Sequence, residues 1–334
     1  MRKPDGQTLF LGSAILGGAV LALYLAFFHG NGQAGNPRQP EADLATIPFN
    51  GQRSYQVLKD ICAIGRRVSG SQGMAAQQKL LGDHFRAIGG DVRLQTFRVR
   101  HPEDGSPVEM ANMIVQWHPQ RLQRILLCAH YDTRPFPDRD PINPRGRFIG
   151  ANDGGSGVAL LMELAHHMRA LKTRVGVDFV FFDAEEYLFP KGTGTLGRFF
   201  LGSTHFATQY RDKPPAHKYV AGVLLDMVGD RDLQIYVEKK SLAYAPKVTD
   251  GLWNTARALK VAQFHDRPRP KHDIEDDHVP LNRIARIPTC DLIDFDYPQW
   301  HTTRDNVRAC SGESLRAVGR VVLGWLETLP ATGP

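Results

Sequence analysis

Acidic and imidazole side chains follow four apolar stretches of strand length in this chain, the last of them after a loop. Because the stretches alternate with helical patterns, they predict a mostly parallel sheet, whose strands end at a common edge. Ligands of such sheets bind beyond that edge, so we expect these side chains to meet there. One such residue alone would be an ordinary turn former. The residues are His130 and Asp132 after 125–129, Glu185 and Glu186 after 177–182, Asp226 after 219–225, and His301 after 289–293.

Asp153 lies in the glycine-rich stretch GANDGGSG at 150–157, directly before a predicted helix. Taken alone, this aspartate is as typical of a helix cap as of a metal ligand. Catalytic zinc takes oxygen and nitrogen donors and keeps one position open for water or substrate. The donors that the sheet edge is expected to collect are His130, Asp153, Glu186, Asp226 and His301.

The neighbouring carboxylates of Glu185 and Glu186 strengthen this interpretation. Adjacent carboxylates repel each other unless a cation or a shared proton relieves them, so an ordinary charged surface explains the pair poorly. Asp132 stands two residues from His130 and is placed to accept the ring N–H of that histidine, which would fix its tautomer.

The pattern of the whole chain predicts an α/β fold, a three-layer αβα sandwich with a mostly parallel mixed sheet. Continuous apolar strands of this kind are buried on both faces by helices. The metal site is expected at the carboxyl ends of the strands. Further expected strands are 92–99 and 113–117, and the expected helices are 158–171, 242–259 and 312–329.

The composition, with 42% hydrophobic and 23% charged residues in 334, is that of a globular protein with a sizeable core. The net charge of +6 comes without a run of basic residues among aromatics, so no nucleic-acid partner is expected. None of the four cysteines forms a C-x-x-C pair, which argues against a thiolate zinc site. Whether Cys62 and Cys310 pair depends on an oxidising compartment and stays open.

The first 46 residues are not expected to belong to the globular fold. Residues 9–28 carry no charge and have the length of a membrane-spanning helix, and Arg2 and Lys3 before them favour a cytoplasmic N-terminus, residues 1–8. A signal anchor is therefore expected, with a cleaved signal peptide as the alternative, which would make the protein secreted. Residues 29–46 are expected to be a linker, and residues 47–330 an extracytoplasmic catalytic domain.

The ordered motifs AHYD, GANDGGSGVA, FFDAEE, LLDMVG and WHT resemble the zinc exopeptidase family that includes bacterial aminopeptidases and animal-type glutaminyl cyclases. The resemblance runs from about residue 58 to 329. It implies that His130, Asp153, Glu186, Asp226 and His301 match a two-zinc ligand set with Asp153 bridging, whereas the cyclases hold one zinc with Asp153, Glu186 and His301. It also implies Glu185 as the general acid/base.

Two further motifs resemble the cyclase branch. Residues 274–280 (IEDDHVP) match a loop in which Asp276 helps to position and protonate the substrate, and Trp300 matches a tryptophan that lines the substrate pocket. There are also departures from the animal cyclases. Residues 187–194 lack their tryptophan, Asp291 replaces a histidine that supports the site, and Ala129 replaces a cysteine.

The sequence is therefore consistent with three functions. A cyclase would convert the N-terminal glutamine of peptides or proteins to pyroglutamate with release of ammonia, whereas an aminopeptidase would use water to cut the first peptide bond. The motifs favour the cyclase. An inactive binding ectodomain is the third reading, and it is disfavoured because every expected ligand and Glu185 are retained.

Overall fold

The structure, a computed structural model, describes residues 47–192, 194–267 and 272–329. The predicted N-terminal segment, anchor and linker lie outside these residues. Among the described helices, none combines the length and apolar character that crossing a bilayer requires.

Helices and strands alternate along most of the described chain. The helices are α1 (Gly51–Ile64), α2 (Gln72–Ala87), α3 (Gly155–Met168), α4 (Leu201–Asp212), α5 (Lys239–Tyr244), α6 (Pro246–Ala258), α7 (His278–Arg283) and α8 (Gly312–Thr328). The strands are β1 (Asp91–Arg100), β2 (Pro107–Trp117), β3 (Gln123–His130), β4 (Gly176–Phe182), β5 (Glu186–Lys191), β6 (Gly194–Phe199), β7 (Lys218–Asp226), β8 (Ile235–Tyr236), β9 (Phe264–His265) and β10 (Thr289–Ile293).

Six strands form the central sheet in the order β1-β2-β4-β3-β7-β10. The four strands from β4 to β10 run parallel, and β2 pairs antiparallel with both β4 and β1. The predicted mixed, mostly parallel sheet is confirmed. Its parallel strands are the ones that end in the expected site residues.

Helices cover both faces of this sheet, because successive side chains of a strand point to opposite faces. In β3, Ile125 and Leu127 belong to the large core under α1, α3 and α8, whereas Leu126 and Cys128 belong to a second core that also contains Phe206 of α4 and Leu281 of α7. An uninterrupted apolar strand thus contributes side chains to two hydrophobic cores, one on each face of the sheet. The three-layer αβα prediction is confirmed.

Two parts of the fold differ from the sequence-based expectation. The single helix expected at 242–259 is two helices, α5 and α6, which separate at Ala245, where Pro246 begins the second helix. Proline lacks the N–H that a continuous helix needs, and it suits a first helical position. The second difference is an antiparallel hairpin formed by β5 and β6, which was not predicted from the sequence. Its first residue is Glu186.

A buried ion pair closes the amino-terminal edge of the parallel strands. Arg124 of β3 and Asp178 of β4 are both fully buried, and Arg124 Nε donates to Asp178 Oδ1 at 2.9 Å. Gln116 Nε2 donates to the second carboxylate oxygen at 3.1 Å, and the hydroxyl of Tyr219 on β7 donates there too. Four strands are therefore tied together at the edge opposite the expected site.

Asp178→Asn should lower the free energy of unfolding by about 3 kcal/mol, since it leaves the buried guanidinium of Arg124 without its counter-charge. Urea unfolding measures this change. Asp212→Asn is the matched control, because Asp212 pairs with Arg211 on the surface, where such pairs contribute little. Equal effects of the two substitutions would contradict the structural role of the buried pair.

Candidate metal centre and active site

The carboxyl edge of the sheet brings together the expected donors. His130 and Asp226 are the last residues of β3 and β7, and Glu185 and Glu186 follow β4 by three and four positions. His301 lies in the loop after β10. All five side chains are at least nine-tenths buried. The expectation that separate strands deliver acids and imidazoles to one place agrees with this arrangement.

Asp153, Glu186 and His301 form a first group of possible metal ligands. Each offers a ligand atom within 4.8 Å of the others. His301 Nε2 lies 2.6 Å from Glu186 Oε1 and 3.5 Å from Asp153 Oδ2. Three donors with this convergence match the three protein ligands that a catalytic zinc site uses.

His130, Asp153 and Asp226 form a second group with the same convergence. His130 Nε2 lies 3.2 Å from Asp153 Oδ1 and 3.2 Å from Asp226 Oδ1. The two groups share Asp153, which turns one carboxylate oxygen to each. This arrangement can serve a second cation, or it can brace the first group by hydrogen bonds.

The charges and unused polar atoms of the first group fit a cation. Within the described residues, Asp153 Oδ2 and Glu186 Oε2 are buried without a hydrogen-bond partner. Burial, followed by repulsion from Glu186, raises the pKa of Asp153 to about 6. Burial alone would also raise the pKa of Glu186, but the charges of His301 and Arg134 hold it below its usual range. Buried carboxylate oxygens with free lone pairs are what a bound metal ion would satisfy.

Glu185 lies beside this group, and its carboxyl differs from that of Glu186. Burial and the charge of Glu186 raise the pKa of Glu185 well above its usual range. Two neighbouring carboxyls whose environments push their pKa values apart are suited to different tasks, one holding charge and one carrying a proton.

Three aspartates orient the donors, and the sequence pointed to one of them. Asp132 accepts the backbone N–H groups of Glu185 at 3.0 Å and Glu186 at 3.2 Å, and its Oδ1 lies 3.6 Å from His130 Nδ1. Its main hydrogen bonds therefore go to the glutamate pair, not to the histidine ring that we expected.

Asp305 and Asp138 also orient the donors, although neither was predicted from the sequence. Asp305 accepts the backbone N–H groups of Asn152 at 2.8 Å and Asp153 at 3.1 Å. Asp138 Oδ1 lies 3.3 Å from His301 Nδ1, the ring atom facing away from Glu186. Asp305 follows His301 by four residues, so its nearness in the chain was the available signal, whereas Asp138 lies in a loop without regular spacing.

Left-handed backbone conformations cluster at this edge. Ala184, Met227 and His301 have φ values of 58°, 47° and 57°. Each of them is a candidate ligand or the immediate neighbour of a site residue, Glu185 or Asp226. Such conformations are unfavourable for residues other than glycine, and they concentrate at functional sites, where the surrounding structure enforces them.

A cleft of about 390 Å³ opens onto the first group and onto Glu185. Asp276 and Trp300 both line it, as expected for residues that handle a substrate. Asp276 is buried, its Oδ2 has no hydrogen-bond partner among the described residues, and burial together with Asp226 raises its pKa well above the usual range. The ring of Trp300 lies 4.2 Å from that of His301 and 4.8 Å from that of Phe295.

Asp291 lies behind the cleft instead of beside the candidate metal ligands. It is fully buried on β10, its Oδ2 lies 3.7 Å from His278 Nδ1, and it converges with His278 and Asp276. A supporting role for Asp291 would therefore pass through Asp276.

Known proteins share this fold. Residues 112–326 match Peptidase family M28. A glutaminyl cyclase of Fimbriiglobus ruber is 38% identical with a TM-score of 0.81, over 88% of this chain and 99% of that chain. A Zn-dependent exopeptidase of Parabacteroides distasonis is 30% identical with a TM-score of 0.78, over 85% and 100%. The glutaminyl-peptide cyclotransferase-like protein of Mus musculus is 25% identical, over 78% of this chain and 71% of that protein.

The chain belongs to peptidase family M28, since the match covers well over half of it. The resemblance stated from the motifs is confirmed. Together with the converging donors, membership defines a zinc-dependent enzyme of the cyclase and exopeptidase type. The reading as an inactive binding ectodomain is not supported.

Asp305→Asn should weaken zinc binding by about tenfold, because an amide can no longer accept the N–H groups of both Asn152 and Asp153 through two oxygens. Competition with a chromophoric chelator measures the affinity. Glu313→Gln, a change of the same kind on the surface, is the control. An unchanged affinity in a correctly folded Asp305→Asn protein would contradict the positioning role.

Proposed function

We propose that this enzyme is a glutaminyl-peptide cyclotransferase, which converts N-terminal glutamine of peptides or proteins to pyroglutamate and releases ammonia. The observation that carries the proposal is Asp276, a buried carboxyl in the same cleft as Glu185, one of whose oxygens has no hydrogen-bond partner within the described ranges. A buried carboxyl whose pKa is raised keeps its proton more readily than an ordinary one and can donate a hydrogen bond to the substrate amide. The likeness to the Fimbriiglobus ruber cyclase supports the same branch.

We assign Asp153, Glu186 and His301 as the zinc ligands. Zinc bound there would polarise the γ-amide carbonyl of the substrate glutamine. The distances among these three side chains and the unused oxygens of Asp153 and Glu186 support the assignment. In this proposal His130 and Asp226 brace Asp153 from the other side, through the contacts of 3.2 Å.

Glu185 is the proton carrier in the proposed reaction. The substrate α-amine nitrogen bonds to the γ-amide carbon, and the bond from that carbon to the amide nitrogen breaks. Glu185 takes a proton from the attacking amine and gives a proton to the departing nitrogen, which leaves as ammonia. Its raised pKa suits this exchange, because a carboxyl that is too acidic would not return the proton.

Trp300 and Asp276 position the substrate. The Trp300 ring, with Phe295 against it, gives the cleft an apolar wall next to His301. Such a wall packs against the glutamine side chain and excludes water, which would otherwise compete with the α-amine as the nucleophile. In this proposal Asp276 contacts the amide group that leaves.

Aminopeptidase or other exopeptidase activity is the second candidate. The observation that favours it is the second donor group, His130, Asp153 and Asp226, which is as compact as the first and shares Asp153 with it. Two metal ions bridged by one carboxylate are typical of hydrolases that activate water. In that reaction Glu185 would deprotonate water, and the first peptide bond would break.

We propose the location of the enzyme from its sequence. The uncharged stretch 9–28 supports a signal anchor that holds the catalytic domain, residues 47–330, outside the cytoplasm. If the segment is cleaved, the domain is secreted.

Mass spectrometry after incubation of the zinc-loaded protein with H-Gln-Xaa and H-Leu-Xaa peptides tests the proposed function. We expect loss of ammonia from the glutamine peptide and no change in the leucine peptide, because only glutamine carries the γ-amide that its own amine can attack. Release of a free amino acid from either peptide would establish the exopeptidase instead.

Glu185→Gln is the control variant for this assay. It should retain zinc while losing at least about a hundredfold in turnover, since glutamine cannot carry the proton. Zinc content is measured alongside activity. Undiminished turnover of a zinc-loaded Glu185→Gln protein would remove Glu185 from the mechanism.

Zinc affinity should rise with pH between about 6 and 9. In the metal-free protein Asp153 has a pKa of about 6, and Glu186 and Asp138 raise the pKa of His301 to about 9 although burial alone would lower it. Zinc must displace the protons of both groups, so protons compete more strongly as the pH falls. Chelator competition across this range checks the slope, and a flat profile would contradict ligation by these two residues.

A further inference from the structure

Arg139 lies exposed at the mouth of the cleft, above the ring of Trp300. Its guanidinium carbon is 4.0 Å from the centre of that ring, and both residues line the cleft. A guanidinium held over an aromatic ring keeps N–H groups available to bind an anion. The cleft thus presents an aromatic ring and a cation next to each other, close to His301.

The loop that carries Arg139 is fastened to the loop that carries His301. The backbone N–H of Arg139 donates to the His301 carbonyl at 3.1 Å. The next residue, Asp140, accepts the backbone N–H of Thr303 at 2.8 Å and also the Thr303 hydroxyl. The preceding residue, Asp138, faces the ring of His301. The position of Arg139 relative to the active site is therefore set by contacts on both sides of it.

Arg139 differs from Arg134, Asp273 and Glu275 at the cleft in having no ion-pair partner among the described residues. Arg134 is bound by Glu186 at 3.0 Å and by Asp138 at 2.8 Å. Asp273 and Glu275, also at the cleft, both pair with Lys240. Among the described residues, no carboxylate lies within ion-pair distance of the Arg139 guanidinium. An unpaired cation therefore faces whatever enters the cleft.

We propose that Arg139, held over the ring of Trp300, is a specificity-determining residue that selects substrates with an acidic side chain in the first two residues after the reacting N-terminus. This inference rests on the proposed function, since it places a peptide N-terminus beside His301. Arg139 is always charged and offers several donors in one plane, which suits a carboxylate.

The distances suit those two positions. The Trp300 ring centre lies 4.2 Å from the His301 ring centre, and the Arg139 guanidinium carbon lies 4.0 Å from the Trp300 ring centre, so the guanidinium is at most about 8 Å from the His301 ring. An extended peptide advances roughly 3.3–3.6 Å per residue. A chain leaving the metal site past Trp300 therefore brings its second or third residue alongside Arg139.

The test compares kcat/KM for peptide amides with glutamine first and glutamate, alanine or lysine at the second or third position. C-terminal amides remove the other carboxylate from the substrate. For the unmodified enzyme we expect a preference for glutamate over lysine of about fivefold, the size expected for an exposed charge contact. The preference should shrink at high salt, which screens such contacts.

Variants separate recognition of charge from support of the Trp300 ring. Arg139→Gln should abolish the preference, Arg139→Glu should reverse it, and Arg139→Lys should restore part of it. Arg98→Gln, which removes an exposed arginine from β1, is the control and should keep the full preference. If Arg139 only supports Trp300, its variants lower kcat/KM equally for all peptides, and that result overturns the inference.

Failure of the proposed function would look different. Release of free amino acids without pyroglutamate would replace the cyclase by the exopeptidase, while the same charge preference measured in that reaction would still establish the role of Arg139. Pyroglutamate formation at equal rates from all peptides would retain the cyclase and refute the selection by Arg139.

Discussion

Buried negative charge at one edge of the sheet is the constraint on which the rest of this structure depends. Asp153, Glu185, Glu186 and Asp226 all lie at least nine-tenths buried within one small region. Carboxylates in such surroundings are unfavourable unless protons, hydrogen bonds or a cation compensate for them. Raised pKa values favour the protonated forms of Asp153 and Glu185, whereas the charges of His301 and Arg134 compensate Glu186. The remaining negative charge would suit a bound metal ion.

The two edges of the parallel sheet show opposite solutions to the burial of charge. At the amino edge, the carboxylate of Asp178 is bound by Arg124, Gln116 and Tyr219, so the charge is matched within the protein. At the carboxyl edge, Asp153 and Glu186 each retain a buried oxygen that has no hydrogen-bond partner in the described part of the chain. The matched pair serves stability, whereas the unmatched oxygens leave room for a metal ion. Aspartates that bind backbone N–H groups, Asp132 and Asp305, hold the unmatched donors in place.

Much of this arrangement could be predicted from the sequence, because apolar strands in a parallel sheet must end at a common edge. The positions of His130, Glu186 and Asp226 follow from that rule alone. Arg139 and Asp138 could not be found in this way, since their places depend on how one loop is fastened to another. Pro246 indicates the break between α5 and α6, but the apolar periodicity of residues 242–259 favours one continuous helix. Asp132 lies 3.6 Å from His130, but its hydrogen bonds go mainly to the N–H groups of Glu185 and Glu186, a detail that the sequence spacing does not predict.

Identifying the nucleophile distinguishes cyclisation from hydrolysis most directly. In heavy-oxygen water, the zinc-loaded protein should convert a glutamine peptide to a pyroglutamyl peptide that carries no oxygen from the solvent, because the substrate's own amine attacks. Ammonia should appear in equal amount. Incorporation of heavy oxygen into the carboxyl group of a released amino acid would show that water is the nucleophile, and it would contradict the proposed cyclisation.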